Sequence, residues 1–483
     1  MDQPQRLASP LRPQSQLGFN MISEVMPFTS FDSSQTSADT LSRVVKIAID
    51  SGEVATVADG YYLFRTYRIG VRVGPEVQKS PAHQAALLTL VNVARRALLG
   101  GVYIEGSLDT PLLVPVPGQR TLAGAVAALG GHAINEVAGT MPTLILGSVN
   151  RTSNEHQICL NVIFSDWRGG VVPQADSHSL PSQRAITPAA ILASAIALSE
   201  VFQNLRGNPM AGRRRVGLSL WSPESIDWEN APAGPLDIVF PANLWLIGLG
   251  HLGQAYLWVL GLLPYADPSK VMLYLQDFDR LAESNDSTSL LTSGELIGRL
   301  KTRTMAEWAE ARGFNARVIE RPFPGGMKVT EQEPRLALGG VDNPQARAAY
   351  EDAGFDWIVE SGLGSGPTEY LALRVHTFPA TTTARRKWSD VEVHRSRGPN
   401  GAAYQDLSAK GMDDCGLVQL ATRSVGAPFV GTAAASLVIA EVLRFLNGGA
   451  RAEVIDMTLR DPSSRSVVSA TNPLNGFNPG FTY

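Results

Sequence analysis

The chain is poor in cysteine: its 483 residues include only Cys159 and Cys415. One pair cannot build a disulfide scaffold, and no C-x-x-C is present, so a cysteine-rich structural zinc site is excluded. So few thiols point to a reducing, cytoplasmic setting. An excess of either charge is lacking as well, with 41 Lys and Arg against 45 Asp and Glu and a net charge of −4. That balance excludes a strongly basic nucleic-acid binder. No amino-terminal segment joins a basic start to an apolar run, so no signal peptide is expected. The most apolar stretches, 189–198 and 425–440, are too short for a membrane span, and Glu200 and Glu441 follow them. What is present is globular composition, 44% hydrophobic and 18% charged. It argues against wholesale disorder, and the length suggests about two to four domains.

Residues 1–38 are rich in Ser, Gln, Pro and Thr and read as a disordered tail, with 21–28 as a docking segment inside it. Beyond Thr40 the pattern predicts helices over 41–51, 85–99, 121–129 and 188–205. Strands are expected at 101–104, 112–116, 144–146, 159–164 and 216–221, with paired strands around a turn over 61–73. The Pro/Gly/Asp-rich stretch 222–241 is the best boundary, so 40–225 and 242–460 read as two domains joined by a linker at 226–241. In the second, strands at 244–248, 271–276, 316–320, 336–339, 357–360 and 452–459 alternate with helices at 252–262, 301–311, 344–353 and 432–446. Such alternation predicts an α/β fold with a doubly wound, mostly parallel sheet. Each half closes on an Ala-rich apolar helix carrying a Glu, then Gly, then a strand, which suggests an internal duplication. Residues 461–483 read as a C-terminal tail, disordered or docking as a strand.

The sharpest motif is Gly248-x-Gly250-x-x-Gly253, set between a strand and a helix. Such glycines allow a tight turn and close approach to phosphates, which the helix N-terminus then binds. The next strand ends in Asp277-Phe278-Asp279, where a carboxylate can hold a ribose. To this point a nicotinamide or flavin oxidoreductase and an ATP user fit equally well. Asn285, Lys301, Asp342-Asn343 and Arg347 then favour ATP, because Mg²⁺ wants a carboxylate and phosphates want Lys, Asn and Arg. For Asn343 and Arg347, an Asx turn and a solvated helix arginine are the alternatives.

With GLGHLG (248–253), DFDRLAESN (277–285), GRLK (298–301) and VDNPQAR (341–347), the chain resembles the ThiF/MoeB/HesA superfamily of adenylating enzymes, which includes the ubiquitin-activating (E1) enzymes. The segment 425–446 is similar to that family's terminal helix. The resemblance implies two tandem Rossmann-like domains, the first degenerate and lacking the glycine motif, the second an active adenylation domain with a crossover loop at about 377–424. It implies ATP and Mg²⁺ as cofactors. Gly248, Gly250, Gly253, Asp277, Asp279, Asn285, Lys301 and Asn343 would contact the nucleotide, Lys301 and Asp342 would be catalytic, and Asp342 would hold Mg²⁺. Its implied partners are a ubiquitin-like protein and a conjugating-enzyme-like acceptor, in the setting of bacterial antiviral conjugation systems. No nucleic acid or membrane is implied, and a homodimer is compatible with the family. The sequence departs from the family at Thr288-Ser289, where an Arg-Gln pair is usual. Arg299, Arg303 or an arginine from another domain would have to replace the missing charge.

Cys415 lies about where thioester-forming members carry their cysteine, and a thiolate would take the acyl group from an adenylate. Asp413 and Asp414 precede it, and nearby carboxylates oppose thiol activation. A small buried residue is the alternative reading there, and for Cys159 it is the favoured one. An adenylating enzyme for a peptide or small acid, a nicotinamide-dependent oxidoreductase and a catalytically dead scaffold remain as competing functions. The segment 377–401, with Arg385, Arg386 and Lys387, reads as a mobile loop facing an acidic partner or as a solvated excursion.

Overall fold

The computed structural model describes residues 36–149, 157–176, 180, 184–323, 326–389, 398–471, 474 and 477–483. Residues 1–35 of the expected 1–38 tail, its docking segment and residues 390–397 of the basic loop lie outside the described residues, while Thr36 and Ala38 are buried.

In chain order the first half contains α1 (Val45–Asp50), α2 (Val57–Thr66), β1 (Ile69–Val73), α3 (Pro81–Ala97), β2 (Val102–Glu105), α4 (Leu122–Ala128), β3 (Gly131–Ile134), β4 (Thr143–Leu146), β5 (Cys159–Ser165), β6 (Arg168–Pro173), α5 (Thr187–Leu205) and β7 (Val216–Ser219). After the short β8 (Phe240–Pro241), the second half contains β9 (Asn243–Ile247), α6 (His251–Gly261), β10 (Met272–Gln276), α7 (Glu283–Asp286), α8 (Lys301–Ala311), β11 (Asn315–Ile319), β12 (Leu336–Gly339), α9 (Pro344–Ala348), β13 (Trp357–Leu363) and β14 (Ala372–Phe378). The crossover helices α10 (Ala384–Ser389), α11 (Ala402–Ala409) and α12 (Asp414–Thr422) follow, then α13 (Pro428–Leu446), β15 (Ala452–Thr458), β16 (Ser466–Ser469) and β17 (Phe481–Thr482).

The duplication is visible in the strand order. One sheet runs β3-β2-β1-β4-β5-β6-β7 and the other β11-β10-β9-β12-β13-β14-β15-β16. In both, the first five strands pair in parallel and those that follow are antiparallel. Both domains are therefore Rossmann-like, with the chain reversing direction in the sheet at β1 and at β9.

The apolar helices α3, α5, α6 and α13 pack together between the sheets. Each of α3, α5 and α13 begins with proline in its first turn, where a missing N–H costs nothing. Trp258 Nε1 on α6 donates to Thr89 Oγ1 on α3 at 3.0 Å, and the rings of Phe202 on α5 and Phe429 on α13 lie 5.2 Å apart. Against the expectation that these apolar stretches are too short, α5 and α13 are long and apolar enough to span a membrane, but 89% of the apolar window in each is buried inside the protein. The outer face of the second sheet carries Trp245, Ile247, Ala337, Ile358 and Phe378 under Tyr350, Phe355 and Ala384. Within the expected linker 226–241, Trp228 is buried against Gly170 and Gly217, where a Cβ would come within 2.8 and 2.4 Å of its ring.

Two local expectations fail. The aromatic run 61–66 is the end of α2, not a strand; Thr56 and Asp59 form a capping box that starts that helix. No strand forms over 112–116; Pro115 and Pro117 deny it donors, and Gln84 holds the segment from both sides, 3.0 Å to Pro111 O and 2.6 Å from Leu113 N. Among its described residues the C-terminal tail docks: β17 pairs with β8, and Phe477 packs on Trp357 and Phe445.

Candidate active site

The glycine loop turns at the C-terminal end of β9. Gly248 has φ +85°, a region that favours glycine, and a Cβ there would meet Val341 Cγ1 at 2.8 Å. A Cβ on Gly253 would come within 2.0 Å of Gly248 O, so the helix can approach the strand only with glycine at that position. Gly250 is the residue before α6 and has open space on its Cβ side. The unpaired N–H groups of α6 thus face a rim where an anion can approach.

Asp277, buried at the end of β10, accepts three backbone N–H groups: Leu249 at 2.7 Å, Phe278 at 2.7 Å and Asp279 at 2.8 Å. In this structure its carboxylate ties the glycine loop to the strand end rather than standing open for a ribose. Asp279 is half exposed and pairs with Lys301 Nζ at 2.9 Å. Lys301 opens α8, and its own backbone N–H donates to Asp279 O at 3.0 Å. Asn285 Oδ1 accepts Ala282 N–H at 2.9 Å, while its NH2 makes no hydrogen bond among the described residues.

Asp342 follows β12 on an exposed turn and makes no hydrogen bond or ion pair among the described residues. Asn343 takes the capping role, its Oδ1 accepting Gln345 N–H at 2.8 Å at the start of α9. Arg347 is not a solvated helix arginine. It is buried, and its Nε donates to Val341 O at 2.8 Å, which braces the Asp342 turn from behind.

Neither arginine expected to replace the missing charge stands free. Arg299 pairs with Glu307 and Arg303 with Glu320, both on the surface. Thr288 and Ser289 are buried, and the backbone around them is held by α3: Arg96 donates to the carbonyls of Ser289, Leu290 and Thr292 at 3.1, 3.1 and 2.7 Å. Arg43, just before α1, reaches the site from the first half. Its N–H donates to Ser287 Oγ at 2.9 Å, its Nη1 to Ser424 O at 3.1 Å, and its carbonyl accepts Gly426 N–H at 3.3 Å. Burial, and then Arg423, pull its pKa down to about 10, against the opposing pull of Asp39 and Asp342. Arg43 was missed in the sequence because it lies about 300 residues from Asp342 and belongs to no motif of the second domain.

The same corner of the first sheet is filled. Glu76 Oε2 accepts Ser148 N–H at 2.9 Å, and a Cβ on Gly74 or Gly147 would fall 2.5 or 2.3 Å from that oxygen. A carboxylate thus occupies the place where the second domain leaves room for an anion. Cys415 is exposed in the first turn of α12, where Asp413 Oδ1 accepts Gly416 N–H at 2.7 Å. The other end of α12 leads to Arg423, whose Nη2 lies 3.3 Å from Asp39 Oδ1 near the site. At 1.5 Å per residue, the thiol stands about 12 Å along the helix from that end. Cys159 is half-buried in β5, Arg385 pairs with Asp352, and no group of three or more metal-ligating side chains occurs among the described residues.

Known proteins resemble the chain in both halves. Residues 68–220 match the BilD N-terminal domain family and residues 240–449 the BilD C-terminal domain family. The bacterial E1-like protein BilD of Collimonas sp. (strain OK412) is 43% identical over 419 residues, 86% of this chain and 90% of that protein. Crystal structures of Escherichia coli MccB also overlap it. With ATP, MccB is 12% identical with a TM-score of 0.31, over 48% of this chain and 65% of that one. With AMPCPP and MccA it is 11% identical with a TM-score of 0.30, over 47% and 64%. The matched region thus spans just under two thirds of those MccB chains. With both domain families present in order and an E1-like relative matched almost end to end, this chain belongs to the BilD family of bacterial E1-like proteins.

Proposed function

We propose that the protein uses ATP to adenylate the C-terminal carboxylate of a ubiquitin-like protein. The carboxylate oxygen attacks the α-phosphorus, the bond to the bridging oxygen breaks, and acyl adenylate and pyrophosphate result. One observation carries the reading: a single rim at the ends of β9, β10 and β12 gathers the open turn at Gly250, Lys301, the uncommitted carboxylate of Asp342 and Arg43. Oxidoreductase chemistry has no use for that set, whereas phosphoryl chemistry depends on positioning and charge neutralisation. The α6 N–H groups bind phosphate oxygens, and Lys301 exchanges Asp279 for a phosphate. Arg43 supplies the cation that Thr288 no longer can. Asp342 fits Mg²⁺, which binds through one or two carboxylates together with substrate phosphates and would neutralise their charge. Asp279 holds the ribose side of the rim, Asp277 fixes the glycine loop beside it, and Asn285 offers its NH2.

The E1-like name of the relative supports a protein substrate. We assign the next step to an acceptor that comes to the adenylate, a conjugating-enzyme-like protein, since Cys415 lies at the far end of α12. We place the reaction in the cytoplasm, within a bacterial defence conjugation system. The test is ATP–pyrophosphate exchange with ubiquitin-like proteins encoded beside the gene. Exchange lost in Asp342→Ala and kept in Cys415→Ala supports the reading. Tight ATP binding without exchange for any carboxylate partner would move the protein to the scaffold class.

A further inference from the structure

Behind the Asp342 turn, on the outer face of the second sheet, ionisable side chains are buried in a row. Arg347 donates Nε to Val341 O at 2.8 Å and Nη2 to Ser361 O at 3.1 Å. Its Nε lies 3.4 Å from Glu360 Oε2. Glu360, on β13, has no exposed surface, and its Oε1 stands 2.5 Å from Nδ1 of His376. The two residues are direct cross-strand partners in the β13–β14 ladder. Trp388 of α10 roofs the row, with the Arg347 guanidinium 4.7 Å above its ring and the His376 ring edge-on at 5.4 Å.

The row ends in an open acceptor. With Nδ1–H of neutral His376 donating to the Glu360 carboxylate, Nε2 carries the lone pair. That Nε2 is buried without a hydrogen-bond partner among the described residues. His376 also lines a cavity of about 290 Å³, together with Thr381, Lys387 and Glu453. A buried ionic row is expensive compared with apolar packing of the same volume. Its return here is position: Glu360 holds the Arg347 guanidinium, and Arg347 holds the Val341 carbonyl next to Asp342.

We propose that Glu360 and His376 are positioning residues for Asp342, linking the cavity beneath α10 to the metal-holding turn through Arg347. The inference rests on the adenylation reading. With His376 neutral, Glu360 serves Arg347. A protonated His376 competes for Glu360 and loosens the hold on Val341. Burial keeps His376 neutral below the ordinary imidazole range; Glu360 opposes that effect, while Lys387 and Arg347 add to it. Glu453, on the other wall of the cavity, accepts Thr381 N–H at 3.0 Å.

The test is calorimetric binding of ATP to the full chain, with Mg²⁺ and with EDTA, between about pH 8 and about pH 4.5, a window carried below ordinary imidazole titration because burial shifts His376 downward. In the wild type, Mg·ATP affinity falls on acidification while ATP affinity in EDTA changes less. Glu360→Gln weakens the Mg²⁺-dependent part roughly 10- to 100-fold, as loss of a group supporting a metal ligand does. His376→Gln removes the pH inflection. Folded variants that keep wild-type Mg·ATP affinity and pH profile would overturn the proposal, as would equal losses with and without Mg²⁺, the mark of a general structural defect. Should a variant not fold, amide exchange in the wild type decides: protection over 341–347, corrected for intrinsic rates, falls on acidification, and unchanged protection refutes the link. A wild type that binds no Mg·ATP sinks the adenylation reading itself, a different result from a wild type that binds while both variants match it.

Discussion

Replacing Arg43 by alanine should separate activity from stability. The guanidinium is partly buried beside Arg423, and its pKa falls to about 10. At that value Arg43 is charged in both folded and unfolded states at neutral pH, and its charge works against folding there. From the ordinary arginine value of about 12.5, that displacement is on the order of 3 kcal/mol. The penalty is present below about pH 10 and fades as pH rises toward the unfolded value. Against it stands one side-chain hydrogen bond, Nη1 to Ser424 O at 3.1 Å, contributing about 1–3 kcal/mol. The backbone bonds to Ser287 and Gly426 survive the substitution. Arg43→Ala should therefore melt within a few degrees of wild type, or slightly above it. Its exchange rate should drop roughly 10²- to 10³-fold, the usual result of losing one preorganised charge at a reacting group. Mg·ATP should raise the wild-type melting temperature more than that of the variant, because phosphate relieves the partly buried charge. The assay is scanning calorimetry with and without Mg·ATP, run beside pyrophosphate exchange. Wild-type exchange in Arg43→Ala would refute the role. A collapse in stability matching the loss of rate would show Arg43 to be a structural clamp.

Asp342→Ala should abolish exchange with little change in melting, since the side chain has no partner among the described residues; Cys415→Ala should leave exchange intact and reveal in acyl-transfer gels whether the thiol is ever loaded. Burial pulls His251 to about 4, so it stays neutral in the fold while the unfolded ring protonates below about 6.5. Its contribution is then intact above pH 6.5 and is lost as pH falls toward 4, by up to about 3 kcal/mol. Urea unfolding near neutrality and near pH 4.5 should show that part of the acid loss missing in His251→Gln. Arg96→Met should cost roughly 1–3 kcal/mol, because it leaves the carbonyl of Ser289 without a donor, while Asn92 still serves Leu290 O and Arg95 still serves Thr292 O. It should lower exchange as well as the denaturation midpoint.

The legible parts of this protein were local. GLGHLG between a strand and a helix predicts its own geometry, because the turn at Gly248 and the contact of Gly253 with Gly248 O lie within six residues. The helix at 301–311 follows from its periodicity, and the one expected over 188–205 from an apolar run that opens on Pro188. Where the sequence misled, a stronger local rule had been passed over. The aromatic run at 61–66 looks like a strand until the Thr56–Asp59 capping box is read, and 112–116 looks like a strand until its prolines are counted. β14 went unread because Arg374, His376 and Thr377 interrupt its apolar residues, and β16 because it is a short edge strand flanked by serines. Asn343 was ambiguous from sequence, and the structure gives it the cap.

By itself, the sequence determined the class of fold, the repeat of one unit and the residues that line one rim, because each depends on neighbours along the chain. Only the tertiary structure decided who completes that rim. Arg43 arrives from the first half because α3, α5, α6 and α13 share one buried layer that fixes the two sheets relative to each other. The same packing turns Arg96 onto the segment after Asn285, and Glu76 closes the corresponding corner of the first sheet. Asp277 ended up tying the loop because three N–H donors converge where its strand stops. Contacts between residues hundreds of positions apart have no periodicity to read, so they emerge only once the chain is packed.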